Sequence, residues 1–112
     1  METRTFELSE LIDGRRRSGD SWMEFLRVPA LSMGVYVLPA GGEDPQTPHT
    51  EDEVYYVVSG RGVLHVAGRE QPVQAGSVVF VAGKTDHHFH SIDEELTALV
   101  FFAPAESLAN SD

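Results

Sequence analysis

Five histidines and the acidic residues near them are the side chains in this sequence that could carry chemistry. They are His49, His65, His87, His88 and His90. His49 lies four residues before Glu53. If residues 50–52 form a three-residue hairpin loop, His49 and Glu53 face each other across two strands, with Cβ atoms about 4.5–5.5 Å apart. An imidazole and a carboxylate so placed could share one metal ion or hydrogen-bond to each other, and the spacing leaves both open.

The run His87-His88-Phe89-His90 supplies a second set of imidazoles. Alternate residues of a strand share a face, so His87 lies with Phe89 and His88 lies with His90. Because Phe89 is apolar, its face is predicted to point into the core, and His88 and His90 are predicted to be solvated. His65 is interpreted as a strand histidine at the surface rather than a ligand.

Short strands separated by turn residues are predicted to position these side chains. From Trp22 onward, runs rich in Val, Tyr, Phe and Ile are interrupted by turn signals at intervals of about 8–12 residues, which is typical of a sandwich or barrel. The predicted strands are 22–28, 31–38, 54–58, 63–66, 78–81, 86–91 and 96–103. One short helix is predicted over 6–12, with Ser9 as its cap. The basic run 15–17 is expected to be a solvated loop.

The composition excludes several other classes of protein. A chain of 112 residues accommodates one domain. It has no cysteine, which removes disulfides and thiolate metal sites and fits a cytoplasmic protein. Its 18 acidic and 8 basic residues give a net charge of −10, which repels phosphate backbones and anionic lipid surfaces. We therefore expect no nucleic-acid partner and no membrane association.

Two segments resemble the motifs of the cupin family. Residues 41–60 are similar to the first motif, in which a glycine is followed by His-x-His, a glutamate and a closing glycine. Gly41, His49, Glu53 and Gly60 occupy those positions, and Thr47 stands where the first histidine is expected. Residues 76–91 are similar to the second motif, in which Gly76 and His87 match and Ala82, Lys84 and Ser91 replace its proline, glycine and asparagine.

The resemblance implies an all-β fold, a double-stranded β-helix or jelly-roll barrel with a short N-terminal extension. The expected division is an extension at 1–21, a barrel at 22–104 and a C-terminal tail at 105–112. Cupins with a full site bind one divalent metal ion through three histidines and the glutamate. The implied ligands here are His49, Glu53 and His87, with Fe, Zn, Mn or Ni as the candidate ion. Gln46 offers an oxygen only if the chain bulges beside Thr47.

The same resemblance implies a function without naming the reaction. We expect a metal-dependent enzyme of dioxygenase, isomerase or lyase type that acts on a small organic molecule. Tyr55 is the candidate catalytic residue, as a proton or hydrogen-bond donor in the cavity, although a tyrosine that simply packs there is the alternative. A non-catalytic barrel that binds a small molecule or a metal as a sensor is the alternative function, and a purely structural barrel is the third.

Two further expectations concern packing. Met33, Val35, Tyr55 and Phe89 are the candidate walls of the cavity. The apolar residues before the barrel are expected to pack across a two-fold interface and make a homodimer, or else to cap their own barrel.

Overall fold

The computed structural model describes residues 2–45 and 48–107. Within them lie one helix and six antiparallel strands: α1 (Leu8–Ser18), β1 (Trp22–Val28), β2 (Leu31–Leu38), β3 (Asp52–Val66), β4 (Arg69–Gln74), β5 (Val78–Val81) and β6 (His87–Ala103). The strand order is β1-β2-β6-β3-β4, and β5 also pairs with β3. In the described residues, no helix is long and apolar enough to cross a membrane.

The two long strands, β3 and β6, serve both halves of the barrel. The first half of β3 pairs with β5 and with the end of β6, whereas its second half pairs with β4 and with the start of β6. Three register shifts between Val57 and Val63 mark the bend. Gly60 lies there with a φ of 92°, and a Cβ on it would come within 2.0 Å of the Glu95 carbonyl oxygen. Only glycine allows this approach of the two backbones.

The bend explains two wrong predictions. Residues 59–62 and 93–95 were expected to be turns that end strands, but both lie inside continuous strands. Glycine and charged residues occur in such bulges as well as in turns, so composition does not separate the two. Strand β4 was not predicted, because its sequence is polar and contains Pro72. Proline is accepted there since β4 is the last strand in the sheet order.

Helix α1 differs from its prediction at both ends. Its N-cap residue is Glu7, which makes no side-chain capping bond, so Ser9 is not the cap. The helix continues through the three arginines at 15–17 and ends at Ser18, and the next residue, Gly19, adopts the left-handed conformation usual after a helix. The basic run is therefore the last helical turn rather than a loop, and its positive charges interact favourably with the negative end of the helix dipole.

The N-terminal segment packs against its own chain. α1 contacts β1 and β2, and the Phe6 and Phe25 rings meet edge to face with centroids 4.9 Å apart. These contacts agree with the capping alternative, and the homodimer stays a prediction. Met33 and Val35 were expected to line the cavity. They alternate along β2 with Tyr36, which does line it, and so they lie on the opposite face.

Candidate metal centre

Three predicted ligands meet inside the barrel. His49, Glu53 and His87 offer ligand atoms that all lie within 4.8 Å of one another. Glu53 lies near the start of β3, whereas His87 begins β6 and pairs with Val66 at the far end of β3. Glu53 and His87 are therefore not neighbours in the sheet. They meet because the bent sheet curls until the two strand starts approach each other.

A docked loop, rather than a strand, places His49. The residue lies before β3 in irregular structure, so the hairpin predicted at 50–52 is wrong. The His49 carbonyl accepts a hydrogen bond from the Lys84 N–H at 2.5 Å, and the Asp52 carboxylate accepts one from the Gly83 N–H at 2.9 Å. A Cβ on Gly83 would come within 2.3 Å of the Thr50 carbonyl oxygen. The glycine lets this loop lie directly on the turn between β5 and β6.

The contact between Glu53 and His87 is almost fully buried, since each side chain is 2% exposed. His87 Nδ1 lies 2.8 Å from the Thr85 carbonyl oxygen. A carbonyl only accepts, so Nδ1 carries a proton. His87 Nε2 then faces Glu53 Oε1 at 3.0 Å, and among the described residues neither atom has a hydrogen-bond partner apart from the other. Two buried electron-pair donors at this distance need a positive charge between them, either a proton or a metal ion.

In the metal-free protein, a proton on His87 Nε2 would supply this charge. Burial by itself lowers the pKa of His87. Other interactions outweigh burial and raise this pKa above its ordinary value. They are the hydrogen bonds with Glu53 and with the Thr85 carbonyl, and the negative charges of Glu53 and Asp44. An ion entering the site would have to displace this proton. The donor set of two imidazoles and a carboxylate therefore fits a divalent transition metal ion.

Glu106 is a site residue that the sequence reasoning missed. Its Oε2 lies 3.3 Å from Nδ1 of His49, with the two side chains only 22% and 17% exposed. The Glu106 N–H donates to the Ser32 hydroxyl at 2.8 Å, which fixes the segment after β6 against β2. Burial raises the pKa of Glu106, and His49 partly opposes this rise. Since Glu106 lies in the predicted tail and outside both motifs, no sequence signal could have assigned it.

A cavity of about 340 Å³ opens beside these residues, a volume in the usual range for small-molecule pockets. Its lining consists of Trp22, Glu24, Arg27, Tyr36, His49, Glu53, Tyr55, Val100, Phe102 and Glu106. Tyr55 lines it as predicted but is only 1% exposed. Phe89 packs behind Tyr55, with ring centroids 4.9 Å apart. The walls are thus largely aromatic, and polar groups come from a few fixed positions.

One of these positions is created by a bulge in β1. Residues 24 and 27 of a regular strand would point to opposite faces. The register shifts between Glu24 and Leu26, and Glu24 and Arg27 both line the cavity. Arg27 donates from Nε and Nη2 to the two Glu24 oxygens at 3.0 and 2.8 Å, and this hydrogen bonding raises the pKa of Arg27. The result is a bidentate ion pair at the cavity wall that sequence alternation could not reveal.

A second fixed polar group is the Tyr36 hydroxyl. It donates to Asp44 Oδ1 at 2.6 Å, and Asp44 Oδ2 accepts from the Phe89 N–H at 2.9 Å. Burial, with the hydrogen bond to Asp44, raises the pKa of Tyr36 far above its ordinary value. The cavity therefore contains two tyrosines, of which Tyr36 keeps its proton at any physiological pH.

The other predicted residues lie elsewhere. His65, His88 and His90 do not belong to the inner set. Thr47, which stands at the first histidine position of the motif, and Gln46 lie outside the described residues, so the structure does not test the expectations for them.

Comparison with known proteins agrees with this architecture. Residues 34–103 match the family model for the cupin domain. An uncharacterized protein of Streptomyces coelicolor is 44% identical over 104 residues, which cover 93% of this chain and 99% of the relative. An uncharacterized protein of Klebsiella pneumoniae with a double-stranded β-helix domain superposes with a TM-score of 0.72 at 21% identity, covering 92% of this chain and 91% of that one. A DMSP lyase of Ruegeria pomeroyi superposes with a TM-score of 0.67 at 21% identity, covering 76% of this chain and 48% of the lyase. The expected double-stranded β-helix fold is confirmed.

Proposed function

This chain belongs to the cupin family, and we propose that it is a metal-dependent enzyme acting on a small organic molecule. The observation that carries the proposal is the buried contact between Glu53 Oε1 and His87 Nε2, with His49 completing the set. Burial of a carboxylate against an unprotonated nitrogen is unfavourable without a positive charge between them. A proton or a metal ion can supply that charge, and the two imidazoles and one carboxylate that converge here are the donor set of a metal centre.

Each residue of the centre has a separate role. His49, Glu53 and His87 hold one divalent ion. Glu106 receives the Nδ1 proton of His49, which leaves the Nε2 lone pair of that ring for the ion, as carboxylates beside metal-ligating histidines commonly do. Thr85 does the same for His87. The bound ion would supply Lewis-acid polarisation of a carbonyl or carboxylate group of the substrate.

The cavity determines what can bind next to the ion. Trp22, Val100 and Phe102 offer apolar contacts, and the volume of about 340 Å³ suits a metabolite rather than a polymer. The Tyr36 hydroxyl gives its one proton to Asp44, so toward the cavity its oxygen can accept a hydrogen bond from a substrate N–H or O–H group. We assign Tyr55 as the candidate proton donor because it lines the same cavity. With three protein ligands, the ion keeps coordination positions for the substrate.

The fold alone does not distinguish a dioxygenase, an isomerase and a lyase. The Ruegeria pomeroyi neighbour is a lyase by name, and at 21% identity the likeness extends to the fold alone. Lyase, isomerase and dioxygenase activities are therefore all assayed. A sensor barrel would use the same pocket without turnover, and the experiment below distinguishes the two.

The test combines metal analysis with turnover. Protein made without an affinity tag is loaded with Fe(II), Mn(II), Ni(II) or Zn(II) and incubated with diketones, catechols, hydroxy acids and sulfonium acids. We expect product with at least one ion, and we expect Glu53→Gln to abolish both binding and turnover. The matched control is Glu94→Gln, which removes the same charge from an exposed pair with Arg61 and should change neither. Metal binding without turnover across the panel would support the sensor instead.

A further inference from the structure

Three histidines that the inner centre does not use lie together on the outer face of the barrel. His65 in β3 pairs directly with His88 in β6 and, on its other side, with Glu70 in β4. The rings of His65 and His88 stack with centroids 5.0 Å apart and an angle of 29°. His90 lies two residues beyond His88, on the same face, with its ring 5.6 Å from that of His88. Three adjacent strands thus contribute to one cluster.

Glu70 is the centre of this outer cluster. Its Oε1 lies 2.6 Å from Nδ1 of His65, and its Oε2 contacts Nε2 of His90. Each carboxylate oxygen therefore has its own imidazole. Interaction with His65 and His90 lowers the pKa of Glu70, so the carboxylate is ionised at neutral pH. The remaining nitrogen of His90, Nδ1, is 2.9 Å from the Ser91 hydroxyl.

We propose that His65, Glu70 and His90 form a second metal site, on the outside of the barrel, which binds a divalent ion such as Zn²⁺. Two imidazoles and a carboxylate are a donor set that zinc accepts readily. In the described residues the inner set is the one whose atoms already lie within 4.8 Å. In the outer set the two rings must turn toward each other around Glu70, and their exposed fractions of 23% and 38% leave them room to do so.

Two features favour a cation at this position. The chain carries a net charge of −10, which raises the local concentration of cations over its surface. Both imidazoles already contact the Glu70 carboxylate, so the three donor groups lie next to one another before an ion binds. The outer site is separate from the inner one, because strand alternation sends His87 into the core and His88 and His90 to the opposite face.

Zinc stoichiometry tests the proposal on the full chain without an affinity tag. Equilibrium dialysis should give two zinc ions per chain for the wild type and one for His65→Gln/His90→Gln. Circular dichroism checks that the double variant keeps the fold. Glu70→Gln should weaken the outer site about 10-fold or more. The matched control Glu94→Gln removes an equally exposed carboxylate from β6 and should change zinc binding less than 2-fold, within the scatter expected of surface charges.

The inner and outer sites can fail independently. If zinc binds only outside, the wild type holds one ion, His87→Ala still holds it, and His65→Gln/His90→Gln loses it; the outer site stands and the proposed function does not. If the double variant keeps the wild-type stoichiometry, the outer site is refuted. As a second readout, nitrogen chemical shifts of the His65 and His90 rings should move on zinc addition to His87→Ala. Unmoved ring signals at saturating zinc would overturn the assignment as well.

Discussion

Glu106→Gln gives the sharpest test of how the protein tunes its centre, because its effects on metal affinity and on stability have opposite signs. Removing a carboxylate that contacts a metal-ligating histidine typically lowers metal affinity about 10- to 100-fold. The 3.3 Å contact is longer than a short charge-assisted hydrogen bond, and Glu106 is 22% exposed. We therefore expect the lower end, about 10-fold or about 1.4 kcal/mol.

The stability effect follows from the raised pKa of Glu106. A carboxyl whose pKa is higher in the folded state than in the unfolded state destabilises the fold wherever it is ionised, and has no such effect below its ordinary pKa of 4.5. The metal-free Glu106→Gln variant should therefore be at least as stable as the metal-free wild type at pH 7. Any advantage should disappear as the pH falls below 4.5.

Chelator competition measures the affinity, and thermal unfolding in excess chelator measures the stability. Both are best done in the His65→Gln/His90→Gln background, so that only the inner ion is counted. Glu24→Gln is the matched control, since Glu24 lines the same cavity but pairs with Arg27. Equal losses of affinity in the two variants would show that the negative charge of the cavity, and not the contact between Glu106 and His49, determines the metal affinity. A lower melting temperature for Glu106→Gln would refute the stability argument.

Three other perturbations follow from the geometry. Metal affinity should rise between pH 6 and pH 8, because the pKa of His87 is raised and the ion must displace its proton. Calorimetry in two buffers would measure the proton released, and a pH-independent affinity would contradict this. Tyr36→Phe should destabilise the protein by about 1.5 kcal/mol, the low end for a hydrogen bond to a charged group, whereas denaturant unfolding within error of wild type would show that the bond to Asp44 contributes nothing. The homodimer remains a prediction, and we expect its interface on the outer face, where Tyr56, Val78 and Phe80 are 39%, 66% and 61% exposed. Light scattering should show a dimer that Phe80→Asp converts to a monomer. A wild-type monomer at tens of micromolar would refute the homodimer.

Local sequence patterns predict the strands that end at turns. The bounds of β1, β2 and β5 agree with the prediction, because proline or glycine follows each apolar run closely. The long strands β3 and β6 were each divided in two. Whether Gly60 bends a strand or ends it depends on the position of the Glu95 backbone, which lies in a distant part of the chain.

The same limit applies to the candidate site. Alternation with Phe89 indicates that His87 points inward, and its side chain is 2% exposed. Spacing also drew attention to His49 and Glu53, but the hairpin argument for them was wrong, since loop docking places His49. Glu106 and the bulge that turns Arg27 inward depend on contacts across the barrel. No local pattern encodes such contacts, so they could be found only from the fold.

The metal content of the purified protein shows whether His49, Glu53 and His87 hold a divalent ion. Protein is made without an affinity tag in the His65→Gln/His90→Gln background and analysed for bound metals after dialysis against buffer without chelator. We predict about one divalent ion per chain, lost on Glu53→Gln and on His87→Ala and retained on Glu94→Gln. A chain that binds no divalent ion, or a Glu53→Gln variant that retains its full complement, would contradict it.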